Sequence, residues 1–271
     1  MALIEPTMLV PDAKNTRRAL GAFAQRFALV VVDECDSTNS TLRDVPPPDD
    51  GRVHVLVARH QRAGRGRRGR IWQAWPGCSL TFSSLWRFDP SPTVPAGLSL
   101  VAGLAVARTL EDLGIEGVQL KWPNDVMVLG RKIAGILVEL VPGRGRTPAA
   151  VIGIGLNLAL PRDASIPDQP GVTALTREIA LTEVDASAVL AGVLISLRNL
   201  LERYAQGGFA SLRGAWQQRN AFAGLPVSVR DEQSETFGIC TGVDEDGALL
   251  LDTDHGRVRI IAGDVSLRAA Q

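Results

Sequence analysis

The sequence predicts an α+β body of mixed strands and helices, with a small all-β unit appended at its C-terminal end. Three observations carry that expectation. Strand patterns and helical patterns interleave as far as Arg219, so the body mixes both kinds of element. After Gly224-Leu225-Pro226 the helical spacing stops, and short strands follow at 227–230, 235–241, 248–252 and 257–261. Asp246-Gly247 and His255-Gly256 are the turn signals between them, and a tail built only of hairpins predicts a small barrel. Finally, 271 residues suffice for one large domain plus a small module, divided here as 1–223 and 224–271.

The elements follow in order. Leu20, Phe23 and Phe27 give 14–27 helical spacing, and 28–32 is an apolar run of buried-strand type. Ser37, Thr38 and Asn39 are N-cap residues, so the strand feeds a helix within 36–44. Three prolines and Asp49-Asp50-Gly51 make a loop before the next strand, 53–58. A strand at 80–86 and an Ala- and Leu-rich helix at 96–113 come next. The strand 118–122 is stopped by Pro123, and 125–129 with 132–140 form a hairpin about Gly130. Strand 149–158 carries Gly153 and Gly155. The longest helix, 184–205, is opened by a Thr182–Asp185 pair resembling a capping box, and a shorter helix spans 209–219.

Lys+Arg and Asp+Glu number 29 each, so the net charge is zero. A general nucleic-acid binder carries a positive surplus. Here the positive charge is local instead, because no Asp or Glu occurs from 51 to 88. Cys35, Cys78 and Cys240 are scattered without CxxC spacing, which predicts reduced, structural thiols and a cytoplasmic protein. His54, His60 and His255 are equally dispersed, which argues against a His/Cys metal cage. The N-terminus has an early glutamate and no apolar core of a signal peptide, and the longest apolar run, 97–107, is too short to span a bilayer.

The local charge sits in the stretch 61–72, QRAGRGRRGRIW, where Arg62, Arg65, Arg67, Arg68 and Arg70 alternate with Gly64, Gly66 and Gly69. Such a segment buries no apolar face and predicts a mobile loop. Ordering it costs about 1–2 kcal/mol per residue in backbone entropy, and each charge-assisted bond to an anion returns about 1.5–3 kcal/mol. A few bonds to phosphate or carboxylate are therefore of the right size to fix it. The loop is no Walker A motif, since no Lys and hydroxyl follow Gly69, and Gly153-Ile154-Gly155 lacks the third glycine of a dinucleotide fingerprint. Two further groups join it. In Lys121-Trp122-Pro123-Asn124-Asp125 a strand ends in an amide and a carboxylate, where sheet enzymes place ligands. Lys132 stands before the apolar run 133–138, which turns its ammonium toward a cleft. No Ser–His–Asp or Cys–His arrangement stands out, so the chemistry expected is electrostatic: fixed cations around an anion.

These motifs occur in a particular order: Asp36-Ser37-Thr38-Asn39; Gln61, Gly64 to Arg70 and Trp72; Lys121 to Asp125 with Arg131-Lys132 to Glu139; Gly153-Ile154-Gly155-Leu156-Asn157. In that order and spacing the chain resembles biotin protein ligases, over roughly residues 28–271 including Gly247 to Leu251 and Val265 to Arg268. The resemblance implies a mixed β-sheet backed by helices, related to class II aminoacyl-tRNA synthetases, with a small SH3-like C-terminal barrel. It implies activation of biotin by ATP and Mg2+ to biotinyl-5′-AMP, then transfer to a lysine of a biotin carboxyl carrier domain of a biotin-dependent carboxylase.

The implied biotin site is Ser37, Thr38, Asn39, Gln61, Arg65, Gly66, Arg67, Lys132, Gly135, Gly153 and Gly155. The implied ATP and phosphate site is Arg67, Arg68, Arg70, Trp72, Lys121, Asn124, Asp125 and Asn157. Lys132, Arg67 and Asp125 are the implied catalytic groups, and Asp125 the implied Mg2+ contact, with Asn124 and Asp125 not separated in role. Family members that repress transcription carry an N-terminal winged helix-turn-helix. Ser37 lies too early to follow one, so specific DNA binding is not expected; nor is membrane attachment, and monomer and homodimer both stay open. Two other readings compete: a lipoate ligase of the same fold, against which the arginine loop and Lys121 to Asp125 speak, and a nucleic-acid protein using the loop as a basic arm.

Overall fold

A computed structural model describes residues 9–88, 96–141, 148–161, 171–179, 184–230, 234–261 and, as backbone, 266–269. Helix α1 (Ala13–Leu20) is capped by Asp12, whose carboxylate accepts from the Asn15 amide at 2.9 Å. A short 3-10 segment, Gly21–Arg26, replaces the second half of the helix expected there, and Phe27 already belongs to strand β1 (Phe27–Cys35). Then come α2 (Thr38–Asp44), β2 (Val53–Gln61), β3 (Ser79–Arg87) and α3 (Leu98–Asp112). Strands β4 (Val118–Lys121), β5 (Asp125–Val128), β6 (Arg131–Val141) and β7 (Ala149–Asn157) follow, then helices α4 (Leu175–Glu178), α5 (Ala186–Gly207) and α6 (Ala210–Gln217). Asp185 caps α5 by accepting from the amides of Ser187 and Ala188, so it is the N-cap itself; Thr182, its expected partner, lies outside the described residues.

Seven strands form one sheet in the order β1-β2-β3-β7-β6-β5-β4. Only β1 and β2 run parallel, joined through α2, and every other neighbouring pair is antiparallel, so the sheet is mixed. The hairpin between β5 and β6 turns at Leu129 and Gly130, both with positive φ, the geometry that matches strand twist in a two-residue turn. One face of the sheet carries Leu80, Phe82, Ile136, Ile152, Ile154 and Leu156, which form one cluster with Val101, Leu104 and Leu110 of α3 and Leu190, Leu194 and Leu197 of α5. This is why α3 is apolar nearly all round: it lies against β4, β5 and β6 with α5 packed over it. On the opposite face α2 covers only part of the sheet, resting on a small cluster of Leu42, Leu56, Leu85 and Val151.

The tail forms a second sheet from β8 (Pro226–Arg230), β9 (Glu235–Val243), β10 (Leu249–Thr253), β11 (Gly256–Ile260) and β12 (Ser266–Ala269). Its order is β11-β10-β9-β8-β12, antiparallel throughout. Barrel closure requires the two edge strands to pair. Among the described residues β11 and β12 do not, so the tail is an antiparallel sheet where a closed barrel was expected; Val265, which opens the last matching run, lies outside the described residues. The sheet is tied to the body by side chains. The fully buried Trp122 indole donates to the Gly247 carbonyl at 3.0 Å. Gln217 donates to the Thr241 carbonyl and accepts from the Val243 amide, filling the space beside Gly242.

Candidate functional site

The part of the sheet that α2 leaves open is a cleft of about 540 Å³. Its floor is made by three glycines in register: Gly135 on β6 pairs with Gly155 on β7, and Gly153 lies two residues away on the same face. Side chains here alternate between faces, so β7 sends Ile152, Ile154 and Leu156 into the core and leaves bare backbone toward the cleft. That bareness is used. A Cβ at Gly153 would collide with the Asn39 amide, and one at Gly155 would collide with the Trp72 indole, which also lies over Gly135. Close approach to backbone is a recognised reason for glycine within a strand.

At one end of the cleft the polar groups are neutral and bonded to one another. Ser37 caps α2, and the next two residues turn inward. The Thr38 amide donates to Gln61 Oε1 at 2.8 Å, its hydroxyl lies 2.7 Å from Ser83 Oγ, and Ser83 donates to Asn39 Oδ1 at 2.6 Å. All of Ser37, Thr38, Asn39 and Ser83 are buried. Asn39 Nδ2 donates to the Leu137 carbonyl and to Glu139 Oε2, at 3.2 and 3.0 Å. Glu139 also receives Arg43 at 2.5 Å and Arg65 at 3.2 Å.

The other end is cationic. Among the described residues that line the cleft, Arg65, Arg67, Arg68, Arg70, Lys121 and Lys132 stand against the single carboxylate of Asp125. Lys132 Nζ is 2.7 Å from Asp125 Oδ1 and 5.7 Å from the centre of a Trp72 ring, which places its charge over the glycine floor. Its backbone is held on both sides: the Lys132 amide donates to the Gly171 carbonyl, and its carbonyl accepts from Thr173. Asn124 is clamped by the backbone of Ile136, donating Nδ2 to that carbonyl at 3.0 Å and accepting its amide at 2.9 Å. Arg67 reaches Asn124 Oδ1 at 3.5 Å, the outer limit of a hydrogen bond.

The arginine loop, expected to be mobile, is folded back on itself. Arg65 bridges Ile71, the Gly66 amide donates to the Arg70 carbonyl, and the Trp72 amide donates to the Gly64 carbonyl at 3.0 Å. Arg67–Gly69 make one 3-10 turn, with Arg68 at φ 56° and ψ 36°, a left-handed conformation that costs a non-glycine residue about 1–2 kcal/mol. The loop's apolar anchor is Trp72. Its stem is Arg62, which pairs with Glu34 at 2.9 Å and Asp36 at 2.8 Å outside the cleft, so four of the five arginines face inward. The His60 ring bonds Glu34 at the same stem and holds that carboxyl below its ordinary range.

Every residue expected in the site lines the cleft except Asn157. Asn157 was expected at the nucleotide; it follows Gly153 and Gly155 on the same face of β7, is buried, and donates to the Thr173 carbonyl at 3.1 Å, beside the segment flanking Lys132. Asn157 Oδ1 is buried and has no hydrogen-bond partner among the described residues. Sequence reasoning missed Ser83, Phe222 and, behind Arg65, Glu139. Ser83 and Phe222 sit in motifs of no chemical signature, whereas Glu139 stood at an exposed-looking strand end. Among the described residues no group of three acidic, His or Cys side chains is placed to hold a metal, and no helix is long and apolar enough to cross a membrane. The three cysteines are unpaired, and burial raises the Cys35 and Cys78 thiols, keeping the reactive thiolate scarce.

Comparison with known proteins agrees with this arrangement. Residues 33–157 match the Biotin/lipoate A/B protein ligase family, and 223–268 match the Biotin protein ligase C terminal domain. The chain is 37% identical to the bifunctional ligase/repressor BirA of Escherichia coli, over all of this chain and 82% of the relative. It is 36% identical to the biotin–[acetyl-CoA-carboxylase] ligase of Paracoccus denitrificans, covering 85% of this chain and 96% of that one. In structure it is similar to the Aquifex aeolicus biotin protein ligase in complex with biotin and ATP, with a TM-score of 0.78, 29% identity, and 89% and 99% of the two chains covered.

Proposed function

The chain belongs to the biotin protein ligase family, and from that premise we infer that this one cleft carries both half-reactions of protein biotinylation. In the first, a carboxylate oxygen of biotin attacks the α-phosphorus of ATP, giving biotinyl-5′-AMP and pyrophosphate. In the second, the ε-amine of a carrier lysine attacks the acyl carbon, forming an amide and releasing AMP. The observation that carries this reading is the polarity of the cleft: neutral hydrogen-bonding groups at one end, six cations at the other, and an indole over a glycine floor between them. A small ring with N–H and C=O groups, an apolar tail and an anionic end match that sequence of surfaces.

Ser37, Thr38, Asn39 and Gln61 then hold the ureido ring, and Gly135, Gly153 and Gly155 leave room for the bicycle and tail beside Trp72. Arg65, Gly66, Arg67 and Lys132 receive the carboxylate. Arg67, Arg68 and Arg70 hold the phosphates, with Lys121 and Asn124 beside them. Lys132 is fixed by Asp125 and by backbone bonds on both sides, so its charge needs no reorganisation as charge builds on the α-phosphate; preorganised charge of this kind dominates much enzymatic rate enhancement. Mg2+ arrives bound to ATP. Magnesium is commonly held by one or two carboxylates plus substrate phosphates, and Asp125, alone among the described lining residues, fits as the protein oxygen. Asn157 stays beside the nucleotide set, its Nδ2 bonded to the Thr173 carbonyl and its Oδ1 without a partner among the described residues.

The body, 1–223, is assigned as the catalytic domain of class II synthetase type, and 224–271 as an SH3-like module that buttresses it through Trp122 and Gln217. The partner that fits the second step is a biotin carboxyl carrier domain, and the free cysteines suit the cytosol. Lipoate offers no N–H groups to the neutral end and leaves it unpaired. The test is pyrophosphate release from ATP with biotin or with lipoate. Release with biotin alone is expected; release with lipoate alone, or with neither, overturns the reading.

A further inference from the structure

Glu139 does not line the cleft, yet three polar side chains converge on it. Its carboxylate accepts from Arg43, from Arg65 and from Asn39, and its side chain is 16% exposed. With two guanidinium groups on it, the carboxylate is an acceptor only. That fixes the direction of a chain of hydrogen bonds. Asn39 faces two groups that cannot donate, Glu139 Oε2 and the Leu137 carbonyl, so its NH2 points at them and its oxygen points at Ser83. The one hydroxyl proton of Ser83 is then spent on Asn39 Oδ1, 2.6 Å away. Thr38 and Ser83 oxygens are 2.7 Å apart, a distance that needs a proton between them, and only the Thr38 hydroxyl has one left; Gln61 Oε1, 3.1 Å from the same hydroxyl, is the longer of its two acceptors. The Thr38 oxygen therefore has only lone pairs to offer the cleft.

Gln61 is oriented by the same logic. Its Oε1 accepts the Thr38 backbone amide at 2.8 Å, so its NH2 is the free half of the amide. The closed end of the cleft thus presents one acceptor, Thr38 Oγ1, beside one donor, Gln61 Nε2. We propose that Glu139, through Asn39 and Ser83, is a positioning and specificity-determining residue that sets Thr38 as a hydrogen-bond acceptor and tunes the site to a ring N–H adjacent to a carbonyl. The same carboxylate holds Arg65, and so couples the ring-reading end to the cationic end. The proposal rests on the biotin reading of the cleft, and it gives Glu139, which does not line the cleft, a role exercised through Asn39, Ser83 and Thr38.

The test compares biotin with its cyclic carbamate analogue, in which one ring N–H is replaced by oxygen, using pyrophosphate release at varied ligand concentration. Against Thr38 as an acceptor the ring oxygen has no partner and meets a lone pair, so the wild-type protein should prefer biotin by about tenfold or more in kcat/KM. Ser83→Ala removes the shorter acceptor of the Thr38 proton, so the ring oxygen competes for that proton only with Gln61 Oε1 at 3.1 Å, and the preference should fall several-fold, with the change mainly in KM. Glu139→Gln should lower the preference less, because its amide removes one of the two acceptors that orient Asn39 and leaves the Leu137 carbonyl. Ser83→Ala does not touch Arg65, so it separates the relay from loss of the arginine, and thermal unfolding identifies a variant that has not folded. A selectivity ratio unchanged in a folded Ser83→Ala protein overturns the relay. Failure of the wild type to release pyrophosphate with biotin instead overturns the ligase reading.

Discussion

The two faces of strands β6 and β7 are built on opposite rules. One face presents Ile136, Ile152, Ile154 and Leu156, each close to fully buried beneath α3. The other presents Gly135, Gly153 and Gly155, with Asn39 and Trp72 lying where side chains would be. One strand register serves both, because side chains alternate. The first face gains from every methylene it holds, since burial removes apolar area from water. The second works by having no volume at all, so that polar and aromatic groups from elsewhere in the chain reach the backbone plane. Stability and ligand recognition are therefore divided between alternate residues of a single strand.

Substitutions can break that division or sharpen it. Leu156→Ala removes a fully buried side chain from the core face and should cost about 2–5 kcal/mol of stability, read as a lower denaturant midpoint, while KM for biotin stays near wild type. A raised KM at full folding would mean the faces are not independent. Lys132→Ala on the cleft side should do the reverse: the unfolding midpoint is kept and adenylate formation falls about 10²–10³-fold, as for other lost transition-state charges. Normal pyrophosphate release by that variant would remove Lys132 from its assigned role. Gly155→Ala adds one methyl that collides with Trp72. Overpacking costs about 1–3 kcal/mol, and because the group displaced is the cleft wall, the loss should show in ligand binding, about ten- to a hundredfold, more than in folding. Calorimetric titration decides, and unchanged affinity would show that Trp72 does not face the ligand.

The smallest effect expected is on the arginine loop. Trypsin cuts exposed loops after arginine, and the stretch from Arg62 to Arg70 offers five sites. Ligand at ten times its dissociation constant should slow cleavage there about tenfold by mass action, best with biotin and ATP together. Protection by an oligonucleotide and not by biotin and ATP would favour a basic nucleic-acid arm.

Much of this was legible in the sequence, for identifiable reasons. Strands β2, β3, β6 and β7 announce themselves by apolar runs, and the Leu129-Gly130 turn by its glycine. The cleft's charged end was legible because five arginines without a neighbouring acid are hard to place anywhere else. What stayed hidden depends on contacts across the fold. Phe27 fits a helical repeat as well as a strand, and only pairing with Val53 decides. The fold-back of 61–72 depends on Trp72 finding two glycines sixty and more residues away. Ser83 reads as an unremarked serine until Asn39 and Thr38 are brought to either side of it.

The bond between the Trp122 indole and the Gly247 carbonyl spans 125 positions of the chain. Lys121, Asn124 and Asp125, the neighbours of that indole, leave the ribosome well before the turn that braces them, since synthesis runs from the N-terminus. A nascent chain therefore holds all of its cleft-lining residues, Phe222 included, before it holds the carbonyl on which one wall rests. The brace forms only when translation is nearly complete, so an unfinished chain carries the full set of lining groups around an unsupported wall.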